Sequence, residues 1–208
     1  MTRVKVCGFT NSEDLEAAIA VGVDAIGLIV DVLVDTPREI SARTAVELAR
    51  TTPPFVSTVL VTMPETPDRT IDLASRIKPD VIQVHGRLTP GDLAYISANV
   101  NGSVVMAVEP TEAATYEPVA DAVLIDSLDD EGAGGTGTTH DWSETRTAVA
   151  SLNTPVILAG GLTPDNVDTA IETVRPFAVD VASGVEAAPG KKDIEAITQF
   201  VRAAGGRK

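Results

Sequence analysis

The hydrophobic positions of this 208-residue chain fall into short β-branched runs, separated by longer stretches in which apolar residues recur every three or four positions. The short runs read as strands and the longer ones as amphipathic helices, because side chains repeat every two residues on a strand and every 3.6 on a helix. Eight strands can be placed, over residues 4–8, 25–30, 56–62, 81–85, 103–108, 122–126, 155–160 and 178–183. The helices between them begin near Ser12, Ser41, Thr66, Thr89, Thr111, Ser143 and Thr163, several with a proline or an acidic residue in the first turn. A last helix runs from about Asp193 to Ala204. Alternating strand and helix is the pattern of parallel βα units. Eight such units fit a closed barrel, whereas an open doubly wound sheet usually has about five or six strands. The expected fold is α/β, a (β/α)8 TIM barrel forming a single domain over residues 1–208, since no change in composition marks a linker.

Charge narrows the partners. Thirty acidic residues against 16 basic ones give a net charge of −14, which disfavours nucleic acid and anionic membranes. A phosphate-bearing small molecule would have to be held locally. Lysine is scarce (Lys5, Lys78, Lys191, Lys192 and Lys208) and helix surfaces such as Ser12-Glu13-Asp14-Leu15-Glu16 are acid-rich. That pattern suggests adaptation to high salt, where counterions screen self-repulsion; an ordinary acidic protein is the alternative. No run approaches the roughly 18 apolar residues of a membrane span, and the chain leads directly into a strand, so a cytoplasmic, unprocessed protein is expected. A lone cysteine excludes an intramolecular disulfide and a cysteine-based metal cluster.

Catalytic groups of a βα barrel project from the carboxyl ends of its strands. Those ends carry Cys7-Gly8, His85-Gly86, Asp126, Gly160-Gly161, and Asp180 with Ser183-Gly184, while Arg38 lies in the loop after strand two. Cys7 shares a strand face with Lys5. If that face points inward, the ammonium lies below the thiol and lowers its pKa, favouring a thiolate base; a small buried hydrophobe is the other reading. Asp126 ends an apolar run, as either a general acid or a loop cap. Gly160-Gly161 and Ser183-Gly184 follow strands seven and eight, where barrels bind phosphate through backbone amides; plain turns are the alternative. The planar fork of Arg38 suits a carboxylate, but a surface arginine fits the position too. His85, which shares a face with Gln83, is catalytic or structural. His140 has no metal-spaced partner, so no metal site is expected. The glycines of Gly132-Ala133-Gly134-Gly135-Thr136-Gly137 match a dinucleotide fingerprint formally, but they follow the sixth strand rather than the first.

Several blocks resemble the phosphoribosylanthranilate isomerases. Val4-Lys5-Val6-Cys7-Gly8-Phe9-Thr10 is similar to the family's opening motif. Gly134-Gly135-Thr136-Gly137 with Asp141-Trp142 is similar to its mobile-loop motif, and Leu158-Ala159-Gly160-Gly161-Leu162 to its seventh-strand turn. Residues 175–186, followed by Pro189-Gly190-Lys191-Lys192-Asp193, resemble its eighth-strand signature. The resemblance implies a cofactor-free Amadori rearrangement of N-(5-phosphoribosyl)anthranilate by a monomer or homodimer. Within it Asp126 is the general acid and Cys7 the general base. Arg38 pairs with the anthranilate carboxylate, Asp180 and His85 lie near the substrate, Gly160, Gly161, Ser183 and Gly184 hold the phosphate, and the Gly-Thr loop closes. The chain departs from the family around Val30-Asp31, in the approach to Arg38 through 32–37, and at Thr138 and His140. A related phosphosugar isomerase would use two opposed aspartates on strands one and five. A catalytically silent sugar-phosphate-binding barrel would bind without turnover.

Overall fold

The structure is a computed structural model that describes residues 2–126 and 142–205. Its eight parallel strands are β1 (Arg3–Cys7), β2 (Ala25–Ile29), β3 (Ser57–Thr62), β4 (Val81–Val84), β5 (Ser103–Val108), β6 (Ala122–Ile125), β7 (Val156–Leu158) and β8 (Ala178–Val181). They pair in chain order, and β8 closes the barrel on β1. The expected first and seventh strands ran on to Gly8 and Gly160. Both glycines have left-handed backbones, φ 84 and φ 88, so the chain turns off the barrel there.

The connecting helices are α1 (Ser12–Val21), α2 (Ala42–Thr51), α3 (Pro67–Ile77), α4 (Pro90–Asn99), α5 (Ala113–Tyr116), α6 (Trp142–Ser151), α7 (Val167–Val174) and α8 (Ile194–Ala203). Ser41 caps α2 by accepting from the Thr44 amide, and Thr89 forms a reciprocal capping box with Asp92 on α4. Asn11, not Ser12, caps α1. The stretch after Thr111 holds only one helical turn, since Pro118 follows closely and disfavours helix before it. After Thr163 a turn comes first, and α7 begins at Val167. Among the described residues no helix is long and apolar enough to cross a membrane.

Strand alternation sorts the core into two shells. Residues such as Val4, Val6, Ile26, Leu28, Leu60 and Ile82 point outward and pack against helix residues including Leu15, Leu48, Leu73, Ile96 and Phe200. The opposite phase fills the barrel with Val59 and Val61 beside Cys7, and with Val105, Ala107, Ala122, Leu124 and Ala159. Lys5, Gln83 and Asp180 belong to this inner phase and are also buried.

A repeated device ties the amino-terminal end of the barrel. Asp24, Asp80 and Asp121 each immediately precede an even-numbered strand, and each accepts the backbone N–H of the preceding strand, from Val4, Thr58 and Val104, at 2.8 Å. At the equivalent position before β8 stands Phe177, whose ring lies 4.3 Å from the Arg3 guanidinium. Asp80→Ala removes the acceptor from the Thr58 amide. Urea unfolding should show a loss of about 1 kcal/mol with turnover unchanged; an unaltered midpoint would mean that water satisfies the amide equally well.

Candidate active site

The nine residues read as candidate catalytic or substrate-binding groups line one pocket at the carboxyl end of the barrel: Cys7, Arg38, His85, Asp126, Gly160, Gly161, Asp180, Ser183 and Gly184. The rest of its wall is largely apolar, with Ile29, Val32, Val34, Val61 and Met63 among the lining residues. Among the described residues no group of three or more histidines, cysteines or carboxylates is arranged to hold a metal ion. The glycine-rich segment 129–140, with His140, lies outside the described residues.

Cys7 is the last residue of β1, and its partner across the ladder is Gly27. A Cβ on Gly27 would sit 2.6 Å from the Cys7 sulfur, so a side chain there would displace the thiol. Beneath the thiol, on the same inward face, Lys5 lies in register with Asp180 of β8 and donates from Nζ to Oδ2 at 2.6 Å. Both side chains are more than nine-tenths buried.

This pairing corrects one expectation. An ammonium below Cys7 was expected to lower the thiol pKa, and Lys5 does act in that direction. Burial outweighs it, however, and Asp180 adds to the rise, so the thiol stands above its ordinary value although Lys192 also opposes the shift. Lys5 itself remains a firm cation. Burial disfavours its charge, but Asp180 and, after it, Cys7 together more than compensate and raise its pKa.

Asp126 follows β6 directly and is buried, with its backbone N–H donated to Val108 O. His85 follows β4, and its Nε2 lies 2.8 Å from Nε2 of Gln83. Burial and the Lys5 ammonium push His85 down to about 4, so the ring is neutral at ordinary pH.

The two glycine turns are locked together. A Cβ on Gly184 would fall 1.9 Å from Leu162 O, so the turn after β8 packs against the backbone after β7 as only glycine allows. Asn166 bridges this region, donating from Nδ2 to Gly161 O at 3.0 Å and accepting from the Thr163 amide at 2.8 Å.

Arg38 reaches the pocket from the loop between β2 and α2. Its stem crosses Gly8, where a Cβ would meet Arg38 Cδ at 2.9 Å. Its guanidinium is held by Glu186, which accepts from Nε and Nη2 at 2.8 Å each. Glu186 belongs to an element that the strand count did not anticipate. After β8 a 3-10 turn (Ser183–Val185) leads into a small hairpin, β9 (Glu186–Ala188) with β10 (Lys191–Lys192). Neither Glu186 nor Lys192 was given a role in the site by the sequence. Their signal in the sequence was the scarcity of lysine, and Lys192 is one of two lysines buried among the described residues.

A family model described as N-(5'phosphoribosyl)anthranilate (PRA) isomerase matches residues 4–203. The N-(5'-phosphoribosyl)anthranilate isomerase of Natronomonas pharaonis is 60% identical over 206 residues, covering 99% of each chain. That of Halobacterium salinarum is 56% identical, covering 97% of this chain and 94% of its own. The crystal structure of phosphoribosyl anthranilate isomerase from Thermotoga maritima matches at 36% identity with a TM-score of 0.88, over 100% of both chains. A further structure of such an isomerase, in complex with reduced 1-(o-carboxyphenylamino)-1-deoxyribulose 5-phosphate, matches at 36% identity with a TM-score of 0.86, again over 100% of both chains. On this match of sequence and barrel, the chain belongs to the N-(5'-phosphoribosyl)anthranilate isomerase family.

Proposed function

We propose that this aldose–ketose isomerase works in the cytoplasm by converting N-(5'-phosphoribosyl)anthranilate to 1-(2-carboxyphenylamino)-1-deoxyribulose 5-phosphate, with Asp126 as general acid and Cys7 as general base. The observation that carries this reading is the meeting of the Asp126 carboxyl and the Cys7 thiol on the rim of a single pocket that also contains both glycine turns and Arg38. Asp126 protonates the ribose ring oxygen, and the C1'–O bond breaks to leave a cationic Schiff base. Cys7 as thiolate then takes the proton from C2', giving an enolamine. Return of the proton from the Cys7 thiol to C1' and loss of the C2' hydroxyl proton to the Asp126 carboxylate yield the ketone and restore both groups. The hydrogen moves within the substrate, so no external oxidant or reductant enters the balance.

The raised thiol pKa fits this order of events. Burial keeps Cys7 protonated, and its positive neighbour Lys5 is committed to Asp180. Ring opening places a new positive charge on the substrate nitrogen, and a cation close to a buried thiol favours loss of its proton to solvent and so its thiolate. The thiolate is thus most populated after the acid has acted.

The glycine turns after β7 and β8 hold the phosphate, an anion that an otherwise acidic protein meets with backbone dipoles rather than a basic surface. Arg38 pairs with the anthranilate carboxylate, whose ring lies along Val32, Val34 and Met63. Asp180 and the neutral His85 face the ribose hydroxyls.

Cys7→Ala and Asp126→Asn should each lower kcat by about a hundredfold or more while leaving the unfolding midpoint nearly unchanged, as for loss of a general base or acid. Near-normal turnover in a folded Cys7→Ala protein, measured by the fluorescence loss of phosphoribosylanthranilate, would end the mechanism. Because the chain has one cysteine, iodoacetamide alkylation reads this thiol alone. Its pH midpoint should lie above the ordinary thiol value of about 8.5, and Lys5→Met should raise it further. A midpoint below the ordinary value would contradict the buried environment.

The chain contains two histidines, which makes His85 readable by NMR. Its ring proton should titrate with a midpoint at about 4. An unfolded histidine binds its proton near 6.5, so between these values the unfolded state binds more protons than the native state. This group's contribution to stability is therefore complete above about 6.5 and falls as the pH drops toward 4. A midpoint near 6.5 would show that the ring is solvated.

A further inference from the structure

The acid and base steps leave one buried charge cluster unused. The Glu186 carboxylate, 4% exposed, lies between two cations. Arg38 donates to it from Nε and Nη2 at 2.8 Å, and Lys192 donates from Nζ to Oε1 at 2.9 Å and to Ala182 O at 3.1 Å. The Lys192 side chain has no exposed surface. Burial would push Glu186 up, but its bonds to Arg38 and Lys192 hold it below the usual carboxylate range.

The hairpin that carries this pair is fixed on several sides. Thr10 donates to Gly190 O at 2.8 Å, and the Lys192 amide donates to Asp14 of α1 at 2.9 Å. A Cβ on Gly190 would lie 2.6 Å from Pro37 O, so the hairpin turn presses on the loop that carries Arg38. Glu186 is therefore a rigid abutment, not a side chain that swings with its surroundings.

Two consequences follow for Arg38. Glu186 occupies the Nε–Nη2 edge of the guanidinium, which fixes its plane and directs the Nη1 side of the fork to any second carboxylate. Charge is the other consequence. Arg38 and Glu186 alone form a neutral pair, which offers an incoming anion little net attraction. Lys192 adds one positive charge behind the pair, so the three side chains together remain positive by one.

We propose that Glu186 is a positioning residue and Lys192 its charge balance, and that together they make Arg38 selective for an aromatic amine bearing an ortho carboxylate. This inference rests on the assignment of Arg38 to the substrate carboxylate. The phosphate turns play no part in it, so the effect belongs to one end of the ligand only.

The test compares two ligands by calorimetry: reduced 1-(o-carboxyphenylamino)-1-deoxyribulose 5-phosphate and the same compound with a plain phenylamino group. The unaltered protein should prefer the carboxylated ligand. Glu186→Asp, which keeps the charge but shortens the reach to Arg38, should lower that preference by about tenfold, the scale of a hydrogen bond to a charged group, while the Kd of the phenylamino ligand stays the same. Lys192→Met, made separately, should lower it as well by leaving Arg38 and Glu186 a neutral pair, and supplies the measurement if Glu186→Asp does not fold. Equal weakening of both ligands in the folded variants would reduce the cluster to scaffolding and overturn the proposal. So would an unchanged preference. Absence of any preference in the unaltered protein would overturn the Arg38 assignment itself, and the inference with it.

Discussion

Closure of the barrel at the seam between β1 and β8 is the constraint on which the rest depends. These strands lie at opposite ends of the chain, yet their register sets Lys5 against Asp180, and the two charges meet at 2.6 Å inside the barrel. A slip of β1 by one residue would turn Lys5 and Cys7 toward the helices while Asp180 stayed inside, because successive side chains on a strand alternate between faces. Cys7 would then leave the pocket, the Lys5 charge would enter an apolar shell and Asp180 would lose its partner. Burying an ion pair is costly and adds little to stability, but breaking one by removing a partner leaves a charge uncompensated. The pair is better understood as a device that penalises the wrong register than as a source of net stability.

The same seam decides how the thiol behaves. Lys5 was legible from the sequence as a neighbour of Cys7, since a spacing of two on a strand puts both on one face. Its commitment to Asp180 was not legible, because the partner lies 175 residues away in the chain and its alignment depends on how the barrel closes. Proximity alone suggested a lowered pKa. Three dimensions added a buried carboxylate and a loss of water, and those reverse the sign.

Other parts of the site divide along the same line. His85, Asp126, Gly160 and Ser183 could be placed because βα alternation converts position at a strand end into position on the rim. Arg38 was legible as a candidate fork, but its partner was not. The hairpin carrying Glu186 interrupts the βα period with a two-residue strand, too short for any hydrophobic pattern to reveal. The helix after Thr111 failed for the opposite reason: its composition was helical, but Pro118 left room for only one turn.

The placement of cations gives the acidic composition a mechanical meaning. In a chain of net charge −14, Lys5 and Lys192 are both buried, and each lies against a carboxylate inside or beside the pocket. A basic funnel on the surface would attract an anionic substrate at a distance, but at about 1 M salt such a field decays within about 3 Å. Buried pairs are screened far less. The relatives from Natronomonas pharaonis and Halobacterium salinarum share more than half of this sequence, which fits the high-salt reading of its composition. Under those conditions long-range steering has little to offer, and recognition must come from contacts made after water has been displaced. An acidic exterior with its decisive cations inside is what that constraint favours: the surface charge keeps the protein hydrated, while backbone dipoles and enclosed Arg38, Lys5 and Lys192 act over distances that salt does not reach.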